Sequence, residues 1–430
     1  MADRRSGNGR FRFTGVLVTL LVTVLMASSL AFGPTSAEAA PGPQQAPEWW
    51  FDAWSVPSLW AAGADGRGIT VAVIDTGVQA SIPELTGRVV PGADFIGNGT
   101  DGRTDFDSEA FSHGTAMASL IVAREGYGNI AGLAPGAKVL PIAVPLKGVV
   151  RLGTPVPDAT SQAIRYAADH GAKVISMSLG GFVYQGEDPV PCPTPLQDAV
   201  LYALKKGSLV VAASGNSGED GSPVEEPGVC LGVVSVGAVD ANRNVASFSS
   251  RHPYLTVSAP GDTIATLSKV DGQAFIGGGT SQATAIAAAA LALVWSKYPH
   301  ATNKQILSRL LSAAVDRGPK GKDNLYGLGV IDPNAAIKDD AAANQPNIVF
   351  TGVQPLVALA ASSAQDTPTK LAAGDDAAPL GSFAVGTVGS AVSPSTYALL
   401  AAAALLALLS LVLLVKAIRR RARPRTAILG

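Results

Sequence analysis

"ITVAVIDTG", residues 69–77, is a compact β-branched run that ends in Asp75 and the turn pair Thr76-Gly77. An apolar run of this length, closed by turn residues, reads as a buried strand. Similar runs recur at "AKVLPIAV" (137–144), "AKVISMSL" (172–179), "GSLVVAAS" (207–214) and "VVSVGAV" (233–239). Helical patterns occupy 158–170 and 195–206 between them. Buried strands alternating with helices predict an α/β domain whose mostly parallel central sheet is covered on both faces. The alternation closes with "NKQILSRLLSAAVDRG" (303–318), in which Ile306, Leu307, Leu310 and Leu311 share one helical face.

The chain has 430 residues, 47% of them hydrophobic, which is ample for one large core and leaves room for appendages. Lys+Arg number 32 against Asp+Glu 33, so the overall balance points to no nucleic-acid partner. Residues 1–39 are expected to be a secretory signal peptide. Arg4, Arg5, Arg10 and Arg12 precede an apolar run (13–32), and Ala37 and Ala39 in "TSAEAA" fit a small-x-small cleavage rule. An uncleaved anchor is the other reading. Residues 40–48 form a short lead-in.

Beyond residue 338 the chain turns to Ala, Ser, Thr, Pro and Gly, and 339–396 is expected to be a flexible tether with too few aromatics for a second core. Residues 397–415 carry no charge and have the length of one transmembrane helix. The basic block "KAIRRRARPR" (416–425) follows, so the tail 416–430 should be cytoplasmic and everything before 397 extracellular. That localises the chain to the cell membrane, single-pass, with the membrane as one partner. Export makes a disulfide the expected use of the two cysteines, Cys192 and Cys230, which supply too few ligands for a metal site.

Four histidines are informative by their scarcity. His170 and His300 lie at helix ends and His252 in a loop before proline, all ordinary surface settings. His113 in "SHGTAMASLIVA" instead starts a helix, where a charged imidazole is disfavoured. Asp75 ends a strand, and the carboxyl ends of strands in an α/β sheet are where catalytic groups collect. Its plainer reading is a turn former. In "FIGGGTSQATAIAAAAL" (275–291) Ser281 follows three glycines and opens an almost uncharged helix that should be buried at the domain centre. An N-cap explains the hydroxyl but not the glycines, which permit close approach. Asn216 in "VVAASGNSG" fits either an Asn turn or an amide aimed at a developing oxyanion.

Taken in order, "VAVIDTGV", "HGTAMAS", "AASGN" and "GTSQATA" resemble the motifs of the subtilisin-like serine peptidases, the subtilases, over about 49–338. The resemblance implies a subtilisin-like three-layer sandwich. It implies a serine endopeptidase with Asp75, His113 and Ser281 as catalytic triad, Asn216 in the oxyanion hole, and a protein or peptide substrate. It further implies that Ser178, Leu179 and Gly180 face Ala212, Ala213, Ser214 and Gly215 as extended edges that pair with substrate backbone. Where many members have Gly, Met and Pro, this chain has Ser112, Gln282 and Ala285, and the buried amide of Gln282 needs partners.

The family often binds calcium, but Asp101, Asp105 and Asp107 read as a solvated acidic loop, so no cofactor or metal is expected. The interval between Ala39 and Trp49 leaves no room for a folded inhibitory prodomain. With the signal, anchor and basic tail, this architecture resembles the mycosins, membrane-anchored subtilases associated with type VII secretion. A type VII secretion membrane complex is therefore an expected partner. The competing function is a structural or binding subunit of such a complex that retains the fold.

Overall fold

A computed structural model describes residues 48–109, 111–124, 130–146, 159–182, 192–338 and 341–365, with side chains to residue 356 apart from those of Phe182 and Ala341. The segments expected as signal peptide, transmembrane helix and basic tail lie outside these residues. Among the described residues no helix is long and apolar enough to cross a membrane.

Two short helices, α1 (Trp49–Ala53) and α2 (Val56–Ala61), lead into β1 (Thr70–Asp75). Next come β2 (Ala93–Asp94), α3 (His113–Val122), β3 (Lys138–Ala143), α4 (Ala159–Asp169), β4 (Val174–Met177) and β5 (Gly181–Phe182). They are followed by α5 (Thr194–Lys205), β6 (Leu209–Ala213), β7 (Glu225–Glu226), β8 (Val233–Val239) and β9 (Val257–Pro260). The hairpin of β10 (Ile264–Leu267) and β11 (Ala274–Gly277) precedes α6 (Thr280–Lys297), α7 (Asn303–Ser312), α8 (Pro333–Lys338) and α9 (Ile348–Gln365).

Seven strands form one sheet in the order β2-β3-β1-β4-β6-β8-β9, and every pairing in it is parallel. Strands β1, β6 and β8 are buried along nearly their whole length, because helices cover both faces and leave no solvent side for polar residues. The step from β1 through α3 to β3 runs one way across the sheet, whereas β3 through α4 to β4 and β4 through α5 to β6 run the other way. Right-handed crossovers then place α3 on one face and α4 with α5 on the opposite face. The packing agrees: α4 lies against α5, and α3 against α6.

Helix α6 is buried from Thr280 to Trp295 and touches β1, β4, β6, β8 and β9. Its run of alanines lets the helix lie close against the sheet, so the segment is a central post, as its lack of charge predicted. Ala285 sits in this post without interrupting it.

One expectation changes. Within 339–396, residues 341–365 carry a 3-10 turn (Ala341–Asn344) and α9 in place of a tether. Asn347, Val349 and Val353 are buried. Asn347 Nδ2 donates to Ser308 Oγ at 2.8 Å, and Ser308 Oγ donates to the Gln345 carbonyl at 2.7 Å, which docks this segment on α7. Two valines on one helical turn suffice to bury the helix's apolar side, a signal too small to register in an Ala/Ser-rich composition.

Candidate active site

Asp75, Ser178 and Asn216 stand at the carboxyl ends of β1, β4 and β6, three neighbouring parallel strands. Parallel strands end on the same side, so these residues share one rim of the sheet. Helices α3 and α6 bring their first turns to that rim, and three sets of contacts fasten them there.

The first joins His113 to Asp75. His113 Nδ1 lies 2.8 Å from Asp75 Oδ1 and 3.0 Å from Oδ2, and Asp75 is fully buried. Thr76 N donates to Asp75 Oδ1 at 2.8 Å, which fixes the carboxylate before the histidine meets it. Close packing makes the approach possible. A Cβ on Gly114 would lie 2.0 Å from the Gly77 carbonyl oxygen, so only glycine lets α3 sit this near the turn after β1.

Burial pulls the His113 pKa down, but the charge of Asp75, its hydrogen bond, and the charges of Asp107 and Asp105 outweigh burial and leave it above the ordinary histidine value. The His113 backbone N–H donates to Asp107 Oδ2 at 2.9 Å, an anion at a helix start.

Asp105 is the organiser that the sequence concealed. Read as part of a solvated loop, it is instead 4% exposed and accepts from Thr76 Oγ1 (2.9 Å), Thr115 N (2.9 Å), Thr115 Oγ1 (2.5 Å) and Asp107 N (2.9 Å). It thereby ties the turn after Asp75 to the first turn of α3. Burial raises its pKa against the pull of these hydrogen bonds. Ser112, the residue before His113, has φ of 57°, the left-handed conformation that glycine adopts most readily, so the serine here carries local backbone strain.

The second set joins Ser281 to Ser178. Ser281 Oγ donates to the Ser178 carbonyl at 3.2 Å, and Ser178 Oγ donates to the Ser281 carbonyl at 2.9 Å. The third joins Thr280 to Asn216: Thr280 N and Thr280 Oγ1 both donate to Asn216 Oδ1 at 2.8 Å, and Gly215 N donates to Thr280 Oγ1 at 3.3 Å. With Oδ1 held twice, the Asn216 amide is oriented, and its Nδ2 donates to no described residue. Asn216 is exposed. Thr280 is a positioning residue the motif reading did not single out, although it stands directly before Ser281.

Gln282 is 4% exposed, and its amide lies over the glycine run. A Cβ on Gly279 would be 2.7 Å from Gln282 Oε1. The glycines before Ser281 therefore leave the space that this side chain occupies.

Of the two expected edges, Ser178, Leu179 and Gly180 continue from β4, with Gly180 exposed, and Ser214 and Gly215 continue from β6. Ala212 does not belong to an edge. It pairs with Met177 on one side and Ser235 on the other and is fully buried. Ala213 pairs only with Val236, which leaves its other side open. Cys192 and Cys230 are bridged, joining the loops before α5 and β8 across 38 residues.

His170 and His300 are exposed, whereas His252 is 4% exposed and stacked on Tyr254, with ring centroids 4.3 Å apart. Its surface reading is thus corrected. Among the described residues no three His, Cys, Asp or Glu side chains gather as a metal site.

Comparison with known proteins bears on this rim. Residues 66–329 match the model of the subtilase family, peptidase family S8. Subtilisin DY of Bacillus licheniformis is 35% identical over 64% of this chain and 93% of its own length. Thermitase of Thermoactinomyces vulgaris is 37% identical over 61% of this chain and 84% of its own. Among solved structures, the MycP3 protease of the type VII (ESX-3) secretion system superposes with a TM-score of 0.59 at 31% identity, covering 71% of this chain and 90% of that one. MycP1 from Mycobacterium smegmatis gives 0.57 at 27% identity, covering 72% and 91%.

Proposed function

Because the chain belongs to the subtilase family and is a serine endopeptidase, we propose that Asp75, His113 and Ser281 are its catalytic triad and Asn216 its oxyanion donor. The observation that supports this reading is that Asp75, Ser178 and Asn216 end neighbouring parallel strands at one rim, where His113 is bonded to Asp75, Ser281 to Ser178, and Thr280 to Asn216.

The chemistry follows from that arrangement. Ser281 Oγ turns from the Ser178 carbonyl toward His113 Nε2, gives up its proton there and bonds to the scissile carbonyl carbon. Asp75 keeps the proton on Nδ1, so Nε2 is the basic nitrogen, and it stabilises the imidazolium once formed. The negative oxygen is met by Asn216 Nδ2–H and by the Ser281 N–H at the start of α6, where the helix dipole favours an anion. His113 then protonates the leaving amine as the C–N bond breaks. Water repeats the sequence on the acyl-enzyme and releases the acid.

The finer assignment is a membrane-anchored extracytoplasmic enzyme linked to type VII protein secretion. The uncharged stretch 397–415 with its basic flank supports the anchor, and the structural likeness to MycP3 and MycP1 supports the link. The test exchanges the native gene for Ser281→Ala and for a deletion, then compares the cell-envelope proteomes. Catalysis in this role makes the two alike, with uncleaved substrates accumulating. A Ser281→Ala strain matching wild type would transfer the role to scaffolding.

A further inference from the structure

The cleft between the two substrate edges has an acid in its floor. Glu225 belongs to β7, which pairs with β5 in register Phe182↔Glu225 and Gly181↔Glu226, directly beyond Gly180. Its carboxylate lies between the walls. A Cβ on Gly180 would be 2.4 Å from Glu225 Oε2, and one on Gly215 would be 2.1 Å from Oε1. Both walls are therefore bare where the carboxylate passes, and any side chain at either position would displace it.

The group is 7% exposed, and burial raises its pKa. Among the described residues it has neither an ion pair nor a side-chain hydrogen bond. Its backbone is well fixed: Glu225 N donates to Tyr254 Oη at 3.2 Å, Val229 N donates to the Glu225 carbonyl at 3.1 Å, and the Cys192–Cys230 bridge follows at once.

A largely buried carboxylate with no cation beside it is poorly compensated, and a fold that retains one gains when a ligand brings that cation. The position says which ligand. Gly215 immediately precedes Asn216, and Ser178 is bonded to Ser281. A substrate whose carbonyl lies between Asn216 Nδ2 and Ser281 N must therefore direct the side chain of that same residue between residues 178–180 and 213–215, onto Glu225. We propose that Glu225 is the specificity-determining residue and selects substrates with lysine or arginine immediately before the scissile bond.

This inference rests on the catalytic reading above, and one experiment separates the two. The full-length chain in detergent is assayed on four peptide amides that differ only in Lys, Arg, Leu or Ala before the cleaved bond, with fluorophosphonate labelling of Ser281 as the measure of an intact site. The expected result is kcat/KM higher for Lys and Arg than for Leu by about thirtyfold or more, the low end of the effect of a buried charge pair. Glu225→Gln should lower the Lys and Arg values by about that factor and raise the Leu value, while Glu225→Asp restores part of the basic preference.

A wild type that labels normally but favours Leu or Ala, or a Glu225→Gln enzyme that keeps the wild-type ratio, overturns the inference and leaves the catalytic reading standing. Absence of both labelling and turnover overturns the two together.

Discussion

Ser281 and Ser178 are bonded to each other in both directions, each hydroxyl donating to the other's carbonyl, at 3.2 and 2.9 Å. This pairing fastens the first turn of α6 to the end of β4. On the proposed mechanism it also gives Ser281 Oγ a resting partner, which the hydroxyl leaves when it turns toward His113. Sequence separation between the two is 103 residues, and no local pattern announces it.

Asn216→Ala should lower kcat by about 10²- to 10³-fold with little change in KM, since an oxyanion donor acts chiefly in the transition state. Thr280→Val leaves the amide in place but removes a hydroxyl that holds Asn216 Oδ1. A smaller loss, about tenfold in kcat, should follow. Steady-state kinetics on one peptide amide measure both. Equal losses in the two variants would mean that Thr280 does more than orient Asn216.

On the proposed mechanism, the raised His113 pKa should set the acid limb of activity. A general base must be neutral, so kcat/KM should rise through an apparent pKa above the ordinary value of about 6.5. Asp75→Asn removes the charge that lifts it and turns one acceptor oxygen into an NH2 donor, so the limb should move down while kcat falls by about 10⁴-fold. Stability has the opposite sense. A histidine raised in the folded state contributes fully below about pH 6.5, and this contribution is lost as pH rises through the folded value. Thermal midpoints across that window should fall in wild type and stay flatter in Asp75→Asn.

Loss of the bridge by Cys192→Ser with Cys230→Ser should destabilise the peptidase domain by about 3–4 kcal/mol on the loop-closure estimate for 38 residues. Urea unfolding of oxidised and substituted proteins measures it. Because the bridge follows β7, discrimination at the cleft floor should weaken as well.

Removal of 339–430 should destabilise the catalytic domain, although it touches no catalytic residue. Val353 packs beside Gly232 with Leu204 and Val200 of α5, and the truncation would open that contact to water. Two buried valines correspond to about 3 kcal/mol. A single substitution, Val353→Asp, should reproduce most of the fall in thermal midpoint with the rest of the chain present.

The sequence disclosed what local chemistry encodes. Helices α4 and α5 fall within one residue of the patterns at 158–170 and 195–206, since alternating burial leaves a period in the chain. His113 stood out as an imidazole at a helix start, whereas Asp75 alone read as a turn former and became a candidate only through the ordered motifs that resemble the subtilases.

Asp105, His252 and Glu225 were not legible, and for one shared reason. Each is buried in a segment without regular apolar spacing, by elements distant along the chain. The hydroxyls that hold Asp105, from Thr76 and Thr115, flank it by 29 and 10 residues. Ala212 failed in the other direction: its sequence neighbourhood belongs to the cleft, but strand pairing on both sides removes it from the edge.

The central claim is that Ser281 is a nucleophile activated by His113, and labelling with a fluorophosphonate followed by mass spectrometry of the digest tests it most directly. The account predicts one covalent adduct on the peptide containing Ser281, with labelling abolished by Ser281→Ala and greatly slowed by His113→Ala. An unlabelled wild-type protein, or an adduct whose formation is indifferent to either substitution, would contradict it.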